Sequence, residues 1–146
     1  MKKTILIVDD DVDFCLLVSK FLNQNGYETQ IATSGETALM KMKNFEFSAA
    51  LCDFRLGDMN GKELLLNLKE LNIETVVIFM TGYADQKTAS DLLAMGAYDY
   101  LSKPLIPGEI LLALSQAFSI SSLRSQPDHP YNNRNNSSVS SNSFML

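Results

Sequence analysis

Five short apolar runs alternate with five stretches of helical periodicity, and this alternation limits the fold more than any other feature of the chain. The runs are residues 4–8, 27–32, 48–52, 75–80 and 98–101. Between the first two, Phe14, Leu17, Val18 and Phe21 recur at i, i+3, i+4 and i+7, the period of an amphipathic helix that ends at Asn25-Gly26. Ser34 has the chemistry of an N-cap for a helix over 35–43. Leu64, Leu65, Leu68 and Leu71 line one face of a third helix. A fourth, about 85–95, is the least apolar and stops at Gly96. The last carries Ile110, Leu114, Ala117 and Phe118. Strands alternating with helices predict an α/β fold, a single doubly wound domain with a parallel five-stranded sheet covered on both faces. The first, third and fourth runs are almost wholly apolar, as befits strands buried on both sides.

The length and composition allow one such domain with its own core, since the chain has 146 residues of which 46% are hydrophobic. No apolar run approaches the roughly 20 residues of a membrane span. Lys2 and Lys3 begin like a signal peptide, but the apolar run that follows ends at Val8 and meets three acids. The expectation is a cytoplasmic protein without membrane contact. The net charge of −5 argues against direct nucleic-acid contact by this segment, because a chain that grips phosphate backbones needs excess Lys and Arg. The acidity lies in residues 1–118, with 16 acids against 10 bases. Cys15 and Cys52 sit in apolar surroundings without the spacing of a zinc or redox motif, and are expected to be reduced core residues.

After Phe118 the composition changes, and 14 of the 28 residues from Ser119 to Leu146 are Ser or Asn. Such a segment has too little apolar surface to offset its ordering entropy. The domain is therefore expected over 1–120 and a linker or tail over 121–146. His129, the single histidine, falls in that tail with no partner cluster nearby, and no role is assigned to it.

In open α/β sheets, ligands bind beyond the carboxyl ends of the strands. The first strand delivers Asp9, Asp10 and Asp11 there, the second Thr33 and Ser34, the third Asp53, the fourth Thr81 and the fifth Lys103. Carboxylates gathered at one rim call for a cation, and hard oxygen ligands select Mg²⁺. Acids, a cation, a lysine and a hydroxyl together make a site for a phosphoryl group, with one carboxylate as candidate nucleophile.

The stretches "ILIVDDD", "CDFRLGDMNG", "MTGYAD" and "YLSKPL", in this order and at these separations, resemble the receiver domain of bacterial two-component response regulators. The likeness covers about residues 3–120. It implies a flavodoxin-like (βα)5 domain with strand order 2-1-3-4-5. It implies Asp53 as phosphoacceptor, taking its phosphoryl group from a sensor histidine kinase. Asp10 and Asp53 are then Mg²⁺ ligands together with the backbone carbonyl of Arg55, and Asp9 holds the ion through water. Lys103 pairs with the acyl phosphate, and Thr81 bonds a phosphoryl oxygen after transfer. Tyr100 matches an aromatic switch, against the plainer reading of an aromatic filling the core. The Lys103–Pro104 bond is implied to be cis. Asp11 is left as a helix N-cap, and Arg55 and Asp58 as solvated loop side chains. Such a domain is a phosphoacceptor with Mg²⁺-dependent self-phosphorylation from acyl phosphates and autodephosphorylation, rather than an enzyme acting on a separate substrate. It is expected to pair with a second copy through the fourth helix, fifth strand and fifth helix.

Haloacid-dehalogenase-type phosphatases offer a rival, with Asp9 as nucleophile, Asp11 as general acid and "VVIFMT" as the threonine strand. Their final acidic pair has no counterpart here, since only Glu109 and Asp128 follow Lys103. Within the response regulators, residues 80–110 resemble the receivers of nitrogen-regulator-type activators, in which a linker leads to an AAA+ ATPase and a DNA-binding domain. "SFML" at 143–146 looks like the opening of that ATPase. The alternative is a stand-alone receiver acting by protein contact.

Overall fold

The computed structural model describes residues 2–82, 86–123 and 146. The order of elements is β1 (Thr4–Val8), α1 (Val12–Gln24), β2 (Glu28–Ala32), α2 (Gly35–Asn44), β3 (Ala49–Asp53), α3 (Gly61–Glu70), β4 (Val76–Thr81), α4 (Gln86–Ala94), β5 (Asp99–Ser102) and α5 (Pro107–Leu123). The strands form one parallel sheet in the order β2-β1-β3-β4-β5. The reversal beside β1 leaves a crevice at the carboxyl ends of β1 and β3, where a doubly wound sheet binds its ligands.

Alternate residues of the strands feed two cores. Leu6, Val8, Ala50, Cys52, Val77 and Phe79 pack under α2, α3 and α4. Ile5, Ile7, Leu51, Ile78, Met80 and Leu101 pack under α1 and α5. Every residue of β1 beyond Thr4 is buried, which is why its sequence reads as a continuous apolar run.

Three strands lie one residue further along than their apolar runs. β3, β4 and β5 end at Asp53, Thr81 and Ser102 rather than at Cys52, Met80 and Leu101. Backbone pairing is indifferent to side-chain polarity, so Asp53 pairs with Met80 and Thr81 with Ser102 inside the ladder. Asp53 and Thr81 therefore stand on strand backbone, while Asp9 and Lys103 follow directly after β1 and β5.

The buried stripe of α1 also differs from its periodic pattern. Cys15, Val18 and Leu22 are its fully buried residues, whereas Leu17 is 47% exposed. The buried face is rotated by about one residue from the predicted one, a turn of roughly 100°, so that Cys15 is buried in the first turn while Phe14 and Phe21 are only partly covered. Leu71 departs in the same way, being 42% exposed where Leu64, Leu65 and Leu68 are buried. It is the C-cap of α3, beyond the last turn that touches the sheet.

The helix ends carry the expected caps. Asp11 and Ser34 accept the backbone N–H of Phe14 and Thr37, and Gly26 takes a φ of +91° where the chain leaves α1. Asn60 and Glu63 form a reciprocal capping box on α3. Both cysteines are buried and free. Burial, then the negative charge of Asp9, pushes the Cys15 thiol up to about 11, and burial pushes Cys52 higher, so both stay protonated and inert at neutral pH. α5 runs three residues past the expected end of the domain. The linker reading for 124–145 and His129 lie outside the described residues.

Asp58 is exposed in the β3–α3 loop, as expected, and its carboxylate also accepts the N–H of Gly35 and of Glu36, each at 2.9 Å. These bonds tie the β3–α3 loop to the start of α2, and they hold the carboxyl below its usual range. Asp58→Ala is expected to cost about 0.5–1 kcal/mol, the range of an exposed cap. A carboxyl whose folded value is depressed gives its stability above the unfolded value and loses it as pH falls through the folded one. Urea midpoints of wild type and variant should therefore differ at pH 7 and converge in acid.

Candidate functional site

The register of the sheet sets the strand ends level. Val8 lies opposite Ala32 and Cys52, and Thr81 opposite Ser102, so Asp9, Asp53, Thr81 and Lys103 emerge along one rim. Lys103 is fixed there by its backbone, whose N–H donates to the carbonyl of Thr81 at 2.8 Å. The Lys103–Pro104 peptide is cis, as the resemblance implied.

Oxygens of Asp9, Asp10 and Asp53 all lie within 4.8 Å of one another. Asp9 is fully buried, and its carboxylate takes a 2.6 Å bond from Lys103 Nζ and a 3.0 Å bond from the N–H of Asp11. Asp10 is exposed and opens the group to solvent. Asp53 keeps 15% of its side chain exposed, with Lys103 Nζ 3.9 Å from one oxygen. Burial raises the Asp53 carboxyl above its ordinary value; Lys103 and the N–H of Phe54 pull it down, while Asp9 and Asp10 push it up. The nearest charges thus oppose each other, and desolvation decides the sign.

The donor set is three carboxylates, all hard oxygen ligands, which fits Mg²⁺ and not a soft metal. Arg55 is exposed at the start of the β3–α3 loop and pairs as an antiparallel bridge with Asn60, so its backbone lies two residues from Asp53. Thr81 is 3% exposed at the end of β4. Tyr100 is 8% exposed and packs in the cluster under α2, α3 and α4, so its ring lies inward. Tyr83, Ala84 and Asp85 of the "MTGYAD" stretch lie outside the described residues.

The site also contains what the sequence reading did not see. Phe14, one member of the predicted apolar stripe of α1, has its ring centre 4.2 Å from Lys103 Nζ. No local pattern could have found this, because the two residues lie far apart in sequence. Asp11 is occupied as the cap of α1, and Asp9 is buried in an ion pair. The phosphatase reading needed these two as general acid and exposed nucleophile, and the geometry serves neither role. A groove of about 650 Å³ lies at the other end of the sheet, against Lys3, Ser48 and Val76, away from all these groups.

A single doubly wound domain with an acidic rim and one lysine matches a known class. Residues 5–115 fit the profile of the response regulator receiver domain, and the chain belongs to that family. Among curated proteins it is 38% identical over 123 residues to the transcriptional regulatory protein ZraR of Klebsiella oxytoca, a match covering 84% of this chain and 28% of the relative. The chain thus spans little more than a quarter of the length of that relative. Among solved structures, a CheY-like response regulator receiver domain from Methanospirillum hungatei JF-1 superposes with a TM-score of 0.80 at 34% identity, over 86% of this chain and all of the other. A response regulator protein from Burkholderia pseudomallei, solved with a phosphorylated aspartic acid, a calcium ion and citrate, gives a TM-score of 0.72 at 29% identity, covering 85% of this chain and 74% of that one.

Proposed function

We propose that this receiver domain takes a phosphoryl group on Asp53 from a sensor histidine kinase and passes the change to an attached transcription-activating module in the cytoplasm. The observation that carries the reading is the convergence of Asp9, Asp10 and Asp53 within 4.8 Å, with the Lys103 ammonium beside two of them. The relative with a phosphorylated aspartic acid and a bound calcium supports the same chemistry, and the relative named as a transcriptional regulatory protein supports the output.

Asp10, Asp53 and the carbonyl of Arg55 would hold Mg²⁺ directly, and Asp9 through water. Bound there, the ion supplies positive charge that offsets repulsion between the carboxylates and the incoming phosphoryl oxygens. Asp53 is the only one of the three carboxylates that is both part of a strand and partly open to solvent, so its backbone holds it still while an oxygen faces the donor. That oxygen attacks phosphorus, and the bond to the donor's nitrogen or oxygen breaks with its electron pair. Lys103 leaves its bond to Asp9 and pairs with the new phosphoryl oxygens, and the Thr81 hydroxyl donates to one of them. Autodephosphorylation is the same site's reaction with water.

The signal leaves through α4, β5 and α5, which is also the face on which two copies pair. α4 buries only Ala89 and Leu92, few anchors for a helix, so a small bias displaces it. Tyr100, inward as it stands, is the ring whose packing reports that displacement.

The test is incubation with Mg²⁺ and acetyl phosphate. One phosphoryl group per chain is expected by intact mass, and none in the presence of a chelator. Amide exchange with and without beryllofluoride should change mainly over residues 86–105. Changes confined to α1 and α3 would sink the proposed route, and metal-independent uptake would sink the site.

A further inference from the structure

The side of the site that faces α1 is aromatic. Phe14 lies in the first turn of α1, partly buried, with its ring packed on the core cluster under α1 and α5. Lys103 Nζ stands 4.2 Å from the centre of that ring, 2.6 Å from Asp9 and 3.9 Å from Asp53. The lysine side chain keeps 23% of its exposure, so its charge is partly desolvated, the condition in which an aromatic face attracts an ammonium most strongly. Asp11 accepts the backbone N–H of Phe14 at 3.1 Å, which fixes the start of the helix, and the ring packs against the core cluster.

We infer that Phe14 is a positioning residue for phosphoryl transfer, acting through Lys103. During the reaction the ammonium must move from the Asp9 carboxylate to the phosphoryl oxygens on Asp53. A third carboxylate in the place of Phe14 would compete for those N–H bonds. The ring attracts the charge through its face without a fixed direction, so it confines the ammonium to the site while leaving it free to change partners. A leucine would fill the same core space without that attraction. The inference rests on the reading of Asp53 as phosphoacceptor.

The experiment compares wild type, Phe14→Tyr, Phe14→Leu, Phe14→Met and Asp53→Asn in the whole chain. The rate of phosphorylation is measured against acetyl phosphate concentration at saturating Mg²⁺, with the thermal midpoint alongside. Phe14→Leu and Phe14→Met should slow the saturated rate by roughly two- to tenfold, the range of a partly desolvated cation–aromatic contact. Phe14→Tyr, which keeps the face, should restore it. Met is included because it adapts to its surroundings, so at least one non-aromatic variant folds. Rates equal to wild type in folded Leu or Met variants would overturn the inference. So would an equal loss in Tyr, which would mark Phe14 as mere packing. Labelling of Asp53→Asn at the wild-type level would instead overturn the phosphoacceptor assignment beneath it.

Discussion

Asp53→Asn is expected to abolish phosphoryl uptake and at the same time to make the metal-free protein more stable. Complete loss is expected because the amide oxygen is no nucleophile and Asp9 is buried in its bond to Lys103. The gain follows from the carboxyl's raised folded value, whose first cause is burial. A group whose folded value lies above its unfolded one binds protons more tightly when native. Its contribution is favourable below the unfolded value and is lost as pH rises through the folded value. At neutral pH the ionised carboxylate therefore costs stability, and the neutral amide removes that cost. A higher Tm than wild type is therefore expected at pH 7. The difference should shrink toward pH 3, where the wild-type carboxyl is neutral too. Intact mass and thermal melts in chelator-treated buffer read both halves. A destabilised Asp53→Asn protein would mean that the bond of Asp53 to Lys103 outweighs desolvation, and the electrostatic account of the site would have to be reversed.

The second large effect separates two adjacent acids. Asp10→Ala is expected to weaken Mg²⁺ binding by about tenfold or more, since it removes one of the proposed direct ligands. Asp11→Ala should leave the affinity within about twofold and cost roughly 1 kcal/mol of stability instead. The reason is positional. Asp10 offers an oxygen to the cluster with Asp9 and Asp53, whereas Asp11 spends its carboxylate on the N–H of Phe14. Calorimetric titration of both variants, with urea melts as the second readout, distinguishes them. If Asp11→Ala were the more damaging to the metal, the acidic run would be in register one residue away from the assignment made here. Added Mg²⁺ should also raise the melting temperature of the wild type, because it binds the folded cluster only, and that gain should vanish in Asp10→Ala.

These effects coexist because the domain gives up stability at its rim to place like charges together. The surrounding sheet compensates with strands such as β1 and β4, buried on both faces. Lys103, its backbone held by a bond to Thr81, supplies the positive charge beside Asp9 and Asp53 that keeps the cluster tolerable.

The sequence by itself determined the class of fold and the membership of the rim. Alternating strands and helices force parallel pairing, and parallel strands send all their carboxyl ends to one edge. The first one or two residues past an apolar run were therefore legible as rim residues, as Asp9, Asp53, Thr81 and Lys103 were. Caps were legible for the same reason of locality, since Asp11 and Ser34 act on residues three positions away. The rotation of α1, the clamp of Asp58 on α2 across 23 residues, and the ring of Phe14 over Lys103 were decided only in three dimensions. Periodicity defines an apolar face to within a residue or so, and it carries no information about which distant side chain meets that face. Only the packing of α1 and α5 on the same face of the sheet, with Lys103 between β5 and α5, brings the aromatic ring to the lysine.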